Sequence, residues 1–221
     1  MSESASSAPT GAARWLCVHD ELLQGLTHAL SNRVGSISAV AYLLEMQPTS
    51  IAASAAALRE EAERVEGLLQ LMRLLPHRAG AAAEPVMPAD TAAHAIALHA
   101  HHPDVRDLHT EVTREGDLQP AYADPAVLIM AVTLVLGAAR RAINGIGRVE
   151  LTIGSSADTV QFTARGRHAD GMWGCADAEA ANDVRAVIWL LAPFGGTGAV
   201  NTAGASVVIP TLQAARRAPR G

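Results

Sequence analysis

The sequence contains no lysine, few aromatic residues and only two cysteines. Its 17 cationic side chains are all arginine, and the formal net charge is −5. Proteins that bind nucleic acid without sequence preference neutralise phosphates with clustered basic side chains, so this charge balance argues against a nucleic-acid partner. Cys17 and Cys175 lie far apart in sequence and cannot form a disulfide framework. We therefore expect a reducing, cytoplasmic location.

Long apolar runs are also missing. A membrane-spanning helix needs about 18 uncharged apolar residues in a row, and no such run occurs. The Ser/Ala-rich stretch Met1–Thr10 has no basic segment before an apolar one, so we expect neither a secretion signal nor a membrane partner. What the 221 residues do contain is 49% hydrophobic side chains, which is enough for a packed core and excludes disorder for most of the chain.

Two long helices are predicted in the first third of the chain. From Trp15 to Glu45 apolar residues recur at spacings of three, four or seven, and Pro48 then ends the helix. A second helix is predicted from Ile51 to Leu75, and a short turn joins the two into an antiparallel hairpin. A lone hairpin leaves apolar stripes exposed, so we predict a homodimer built on a four-helix bundle. The residues seven apart in the second helix are Ile51, Leu58, Val65 and Met72.

The rest of the chain mixes helices and strands. A strongly apolar helix is predicted from Asp124 to Ile143, and Gly198–Thr202 with Ala205–Ile209 is predicted to form a closing hairpin. This pattern indicates an α+β fold in which helices cover one sheet. The predicted divisions are a disordered N-terminus (1–12), the helical hairpin (13–77), a linker (78–88), the sandwich domain (89–212) and a flexible C-terminus (213–221).

The stretch Leu26–Ile37 resembles the phosphoacceptor segment of the histidine kinase core. The order of elements after the linker resembles the ATP-binding domain of the same family, with Asp124–Pro125 opening its nucleotide helix. The resemblance implies a dimerisation and phosphoacceptor hairpin followed by an α/β sandwich of the ATPase type. It also implies response regulator receiver domains as partners, in bacterial two-component signalling.

Three segments depart from the family pattern. The nucleotide helix of the family carries Asn side chains for Mg²⁺ and phosphate, whereas Thr133–Arg141 contains neither Asn nor an acid. Ala164 stands in place of the adenine-reading Asp, and Met172–Cys175 replaces a glycine-rich lid. Mg-ATP requires hard oxygen ligands and close backbone approach, so we expect a degenerate ATPase domain without a cofactor. This combination resembles the dimeric bacterial histidine phosphotransferases.

His28 is the candidate phosphoacceptor. At 100° per residue it lies about 160° from Leu26 and Leu30, away from the stripe that the bundle buries. We interpret Asn32 as a group that can orient a water or the phosphoryl group. The other small or polar residues on the His28 face are interpreted as contacts for a receiver domain that brings its own Mg²⁺. These residues are Gln24, Ser31 and Gly35. Ala29 stands where kinases of the family carry an acid that assists attack on ATP.

Several alternatives stay open on the sequence alone. His28 also fits an ordinary solvated helix residue, and His19, which precedes Asp20, is a rival acceptor. A histidine cluster could hold a metal ion, although an exposed helix end explains it as well; its members are His94, His99, His101 and His102. The arginines 140, 141, 165 and 167 could bind an anion or contact a partner, although a solvated surface explains them as well. Three functions fit: a phosphotransferase exchanging phosphoryl groups between receiver aspartates and His28 without ATP, a non-catalytic pseudokinase adaptor, and an active kinase with a divergent nucleotide site.

Overall fold

The computed structural model describes residues 11–46, 51–75, 82–103, 105 and 108–217. Most of the predicted N-terminal segment 1–12, the predicted turn around Pro48 and part of the linker lie outside the described residues. The helices are α1 (Gly11–Met46), α2 (Ile51–Arg73), α3 (Pro88–His99), α4 (Pro125–Ala142), α5 (Ala178–Leu191) and α6 (Leu212–Arg217). The strands are β1 (Glu84–Val86), β2 (His109–Glu115), β3 (Ala121–Ala123), β4 (Arg148–Ser155), β5 (Thr159–Arg167), β6 (Thr197–Asn201) and β7 (Gly204–Pro210).

The predicted α+β fold is confirmed: a long helical hairpin precedes a domain built on one five-stranded sheet. The strand order is β2-β4-β5-β7-β6, and only the β2–β4 pair is parallel. Alternate residues of β4 and β5 are buried, as expected for a sheet with one covered face. The helices α4 and α5 pack on that face, and α3 packs on α4.

Helix α4 is the core of the sandwich. Its cap is visible in the sequence, because the carboxylate of Asp124 accepts hydrogen bonds from the backbone N–H groups of Ala126 (2.9 Å) and Val127 (3.2 Å). By length and composition α4 could cross a bilayer, but 78% of it is buried inside the protein. Its apolar character therefore matches that of a core helix packed on a sheet.

The structure differs from the predicted divisions at both ends of the sandwich. Strand β1 lies within the stretch predicted as a linker and pairs antiparallel with β3, which the sequence pattern also missed. Helix α6 occupies 212–217, within the stretch predicted as flexible, and the Thr211 hydroxyl accepts from Ala214 N at 3.2 Å at its start. Both short elements depend on partners distant in sequence, which local periodicity does not report.

Helix α1 begins at Gly11, earlier than the spacing of apolar residues predicts, because its first turns pack on the sandwich domain. Its buried residues are Val18, Leu22 and Leu26, all in the N-terminal half. The first half of α1 thus joins the two parts of the chain, while the residues 27–46 of its second half have no buried side chain.

Candidate functional site

His28 lies on the exposed face of α1, with its side chain turned away from the buried positions Leu22 and Leu26. The Nδ2 atom of Asn32, one turn further along, lies 3.3 Å from Nε2 of His28. The contact holds the His28 ring beside Asn32 on the exposed face of α1.

A groove of about 920 Å³ runs alongside His28. Its first wall is the α1 face that includes Gln24, Ser31 and Asn32. Its second wall is the segment after α3, which the sequence analysis did not associate with His28: Ala100, His101, Pro103 and Val105. Gly35 is exposed on α1 with open space around its Cα and is not among the lining residues.

Gly25 explains how the second wall reaches α1. A β carbon at this position would lie 1.7 Å from the backbone carbonyl oxygen of His101, a distance that no side chain tolerates. The turn after α3 therefore rests directly on the α1 backbone, one turn before His28. A glycine within a helix of this length was the sequence signal for such a contact, because glycine is otherwise unfavourable inside helices.

Ion pairs fasten the N-terminal half of α1 to the sandwich. Arg14 Nε lies 2.7 Å from Oδ1 of Asp183, whose side chain is 1% exposed and also pairs with Arg141. Burial alone would lower the pKa of Arg14, but the Asp183 carboxylate more than offsets this, and the net pKa is raised. Further along, Glu21 Oε2 lies 2.9 Å from Nε2 of His102. The Glu21–His102 contact holds the second groove wall against α1, and the Arg14–Asp183 pair holds the start of α1 against α5.

His19, the rival acceptor, occupies a different environment. Its ring lies 5.1 Å from that of Trp15, and its side chain is 19% exposed. The hollow beside it, about 270 Å³, is lined by three leucines, Met72 and Arg73, and it borders the His28 groove at Leu23. Fewer directions of approach are open to the His19 ring than to the His28 ring.

The segments that the sequence analysis compared with nucleotide-binding motifs pack tightly against one another. A β carbon on Gly166 would lie 2.2 Å from the carbonyl oxygen of Ala139, and one on Gly174 would lie 2.4 Å from that of Ala142. The segment that replaces the lid thus rests on the last turns of α4. A hollow between α1, α4 and α5 measures about 10 Å³, and its lining includes Arg14 and Gly137. That is the space of about one water molecule.

The arginine pairs do not form one pocket. Arg141 faces the helical layer, where it pairs with Asp177 at 3.1 Å. Arg165 and Arg167 lie on the opposite face of β5, where their guanidinium groups stand 4.3 and 5.2 Å from the centre of the Trp173 ring. The sheet lies between the two pairs, so the expectation of a shared anion pocket is wrong.

Among the clustered histidines, His94 and His99 lie in α3 and His101 and His102 in the turn after it, and the rings of His99 and His102 are 6.3 Å apart. His94 is exposed, and His102 pairs with Glu21. Burial lowers the pKa of His99 to about 3 and also lowers that of His101, so both rings are neutral near pH 7. Within the described ranges no group of three potential ligands is placed to hold a metal ion.

Comparisons with known proteins give structural neighbours only. No family profile matches the chain, and no curated protein matches it significantly. Solved structures that match include a bacterial phosphotransferase (14% identity, TM-score 0.43, 87% of this chain and 95% of that chain). Others are the Acinetobacter baumannii histidine kinase AdeS (13%, 0.45, 86% and 97%) and the catalytic domain of histidine kinase ThkA (9%, 0.46, 59% and 98%). At these identities residue roles are not transferable.

Proposed function

We propose that this chain is a cytoplasmic, dimeric histidine phosphotransferase of a bacterial two-component phosphorelay, which exchanges phosphoryl groups between receiver aspartates and His28 without ATP. The observation that carries the proposal is the exposed Nε2 of His28, held by Asn32 at the edge of a groove of about 920 Å³. A nucleophile on a helix face with small neighbours can be reached in line by a protein-bound phosphoryl group.

In the proposed reaction the lone pair of His28 Nε2 attacks the phosphorus of the partner's aspartyl phosphate. The N–P bond forms as the P–O bond to the carboxylate breaks, and the carboxylate leaves with the electron pair. The proton on Nδ1 stays on the ring. The receiver's Mg²⁺ offsets the charge on the phosphoryl oxygens, and the Asn32 amide, released from Nε2, can donate to one of them. The reverse reaction passes the group to a second receiver.

The absence of ATP chemistry in this proposal rests on three features of the sandwich. The carbonyl groups of Ala139 and Ala142 are in close contact with the backbone at Gly166 and Gly174, and a hollow between α1, α4 and α5 measures about 10 Å³. Ala164 is fully buried and has no polar side chain for adenine. Ala29 supplies no acid beside His28. A nucleotide would have to separate packed backbone segments before it met any oxygen ligand.

We expect titration of the protein with Mg-ATP to give no measurable heat at sub-millimolar concentrations, and incubation with labelled ATP to give no autophosphorylation. The physical reason is the filled space beside α4 together with the missing Mg²⁺ ligands. Isothermal titration calorimetry tests the first point directly. A dissociation constant in the low micromolar range would instead support the hypothesis of an active kinase with a divergent nucleotide site.

The dimer in this proposal would cover the distal half of the hairpin. In the described residues 27–46 of α1 no side chain is buried, and Leu68 is the single apolar residue buried on α2. Large apolar side chains there are between 52% and 64% exposed: Val34, Tyr42, Leu43, Met46 and Ile51. An apolar surface of this kind on a helical pair is typical of a bundle interface with a second copy.

We expect light scattering at micromolar concentration to give twice the 23.0 kDa mass of one chain. Replacing Leu58 and Val65 together with Glu should release monomers or unfold the chain, because both lie on the stripe that the bundle would bury. The matched control is Ala56→Glu with Gln70→Glu, which adds the same charge on the opposite, exposed side of α2 and should leave the dimer intact. A monomeric wild-type mass would rule out the four-helix bundle.

The experiment that tests the proposed function is incubation with receiver domains of the same genome, each phosphorylated with acetyl phosphate. The expected result is a phosphoryl group on this chain that is labile to acid and stable to base, as phosphohistidine is. Loss of label from the receiver without any label on this chain would contradict a phosphotransferase. Binding of a receiver with no exchange in either direction would support the adaptor alternative.

A further inference from the structure

We infer that His101 is the second contact of the docked receiver, a specificity-determining residue that the sandwich domain contributes to the His28 groove. This inference rests on the proposed function and goes beyond it by assigning a role to the segment after α3. His101 would contact the partner's surface and not the reacting nitrogen.

The first argument is the size of a protein interface. A stable contact buries about 800 Å² on each partner. The exposed face of α1 around His28 is one helix wide, so a docked protein must also cover the opposite wall. On that wall His101 is the largest side chain, beside Ala100, Pro103 and Val105.

The second argument is rigidity. The His101 carbonyl group rests on Gly25, and the His101 N–H donates to the Leu98 carbonyl at 3.0 Å. The neighbouring His102–Glu21 pair ties the same turn to α1. A side chain on a fixed wall contacts a partner without the entropy cost of ordering a loop on binding.

The third argument is the position and charge of the ring. His101 lines the His28 groove and also a second hollow of about 420 Å³ that contains Arg33 and Arg64. It therefore lies between two depressions, where a partner surface that straddles the His101 ring can enter both. Partial burial lowers the pKa of His101 and keeps the imidazole neutral near pH 7, so it offers one N–H donor and one acceptor without an unpaired charge.

The test measures transfer from the phosphorylated receiver that labels the wild type most strongly. In His101→Ala we expect the receiver concentration for half-maximal transfer to rise about tenfold, the effect of removing one central interface side chain. The rate at saturating receiver, and labelling of His28 by the small donor phosphoramidate, should stay unchanged. His101→Gln retains a donor and an acceptor and should restore most of the affinity.

The matched control is His94→Ala, which removes an exposed histidine from α3 outside the groove and should change nothing. In the unaltered protein, addition of unphosphorylated receiver should shift the NMR signal of the His101 ring and not that of His94, a readout that needs no variant to fold. A half-saturation concentration within twofold of wild type in His101→Ala, or an unshifted His101 ring signal, would overturn the inference. Normal transfer by a His28→Ala variant would instead overturn the proposed function itself.

Discussion

The His28→Ala variant should lose all phosphoryl transfer while keeping its fold and its oligomeric state. The imidazole supplies the attacking lone pair, and alanine has no substitute for it. An exposed helix residue contributes little to packing, so the free energy of unfolding should change by no more than about 0.5 kcal/mol. Labelled phosphate transferred from an acetyl-phosphate-treated receiver measures the first effect, and a thermal melt followed by circular dichroism measures the second.

Two further variants distinguish loss of the acceptor histidine from loss of receiver binding. Gly35→Leu adds a side chain in open space about two turns beyond His28, so it should leave His28 reactive toward phosphoramidate but weaken receiver binding and transfer together. His19→Ala should affect neither. If His19→Ala has no phosphoryl transfer activity and His28→Ala is fully active, the acceptor is His19. If both variants transfer normally, no histidine of α1 is the acceptor and the adaptor hypothesis is favoured.

The Gly25→Ala variant should be destabilised, although the same substitution usually stabilises a helix. At an open helical position alanine is about 0.5–1 kcal/mol more favourable than glycine. At position 25 the new β carbon would meet the carbonyl oxygen of His101 at 1.7 Å, so α1 and the turn after α3 must separate. Overpacking of this kind costs about 1–3 kcal/mol, which lowers the thermal midpoint by several degrees.

Gly67→Ala provides the control for this prediction. Gly67 lies inside α2, and a β carbon there would have no neighbouring atom within 4 Å, so alanine should raise the thermal midpoint. Separation of the groove walls in Gly25→Ala should also weaken receiver binding, whereas Gly67→Ala should not. A Gly25→Ala protein that is as stable as Gly67→Ala would show that the turn after α3 does not rest on α1 in solution.

Short-range patterns in the sequence determined most of the elements. The spacing of apolar residues predicted α1, α2 and α4, and Asp124 with Pro125 predicted the start of α4 to within one residue. The same periodicity placed His28 opposite Leu26 and Leu30. These features depend on residues within one or two helical turns, and a sequence displays such neighbours directly. The brief elements β1, β3 and α6 were missed because their stability comes from distant partners.

The sequence by itself therefore determined a helical hairpin, an α+β sandwich and an exposed histidine among small neighbours. Only the tertiary structure decided that α1 rests on the sandwich, that Arg14 pairs with the buried Asp183, and that His101 faces His28 across a groove. Contacts between residues far apart in the chain depend on how whole elements dock, which is set by the sum of many weak packing terms. No local pattern encodes that sum. The glycine at position 25 indicated one such contact, because a glycine inside a helix allows another segment to approach the backbone closely.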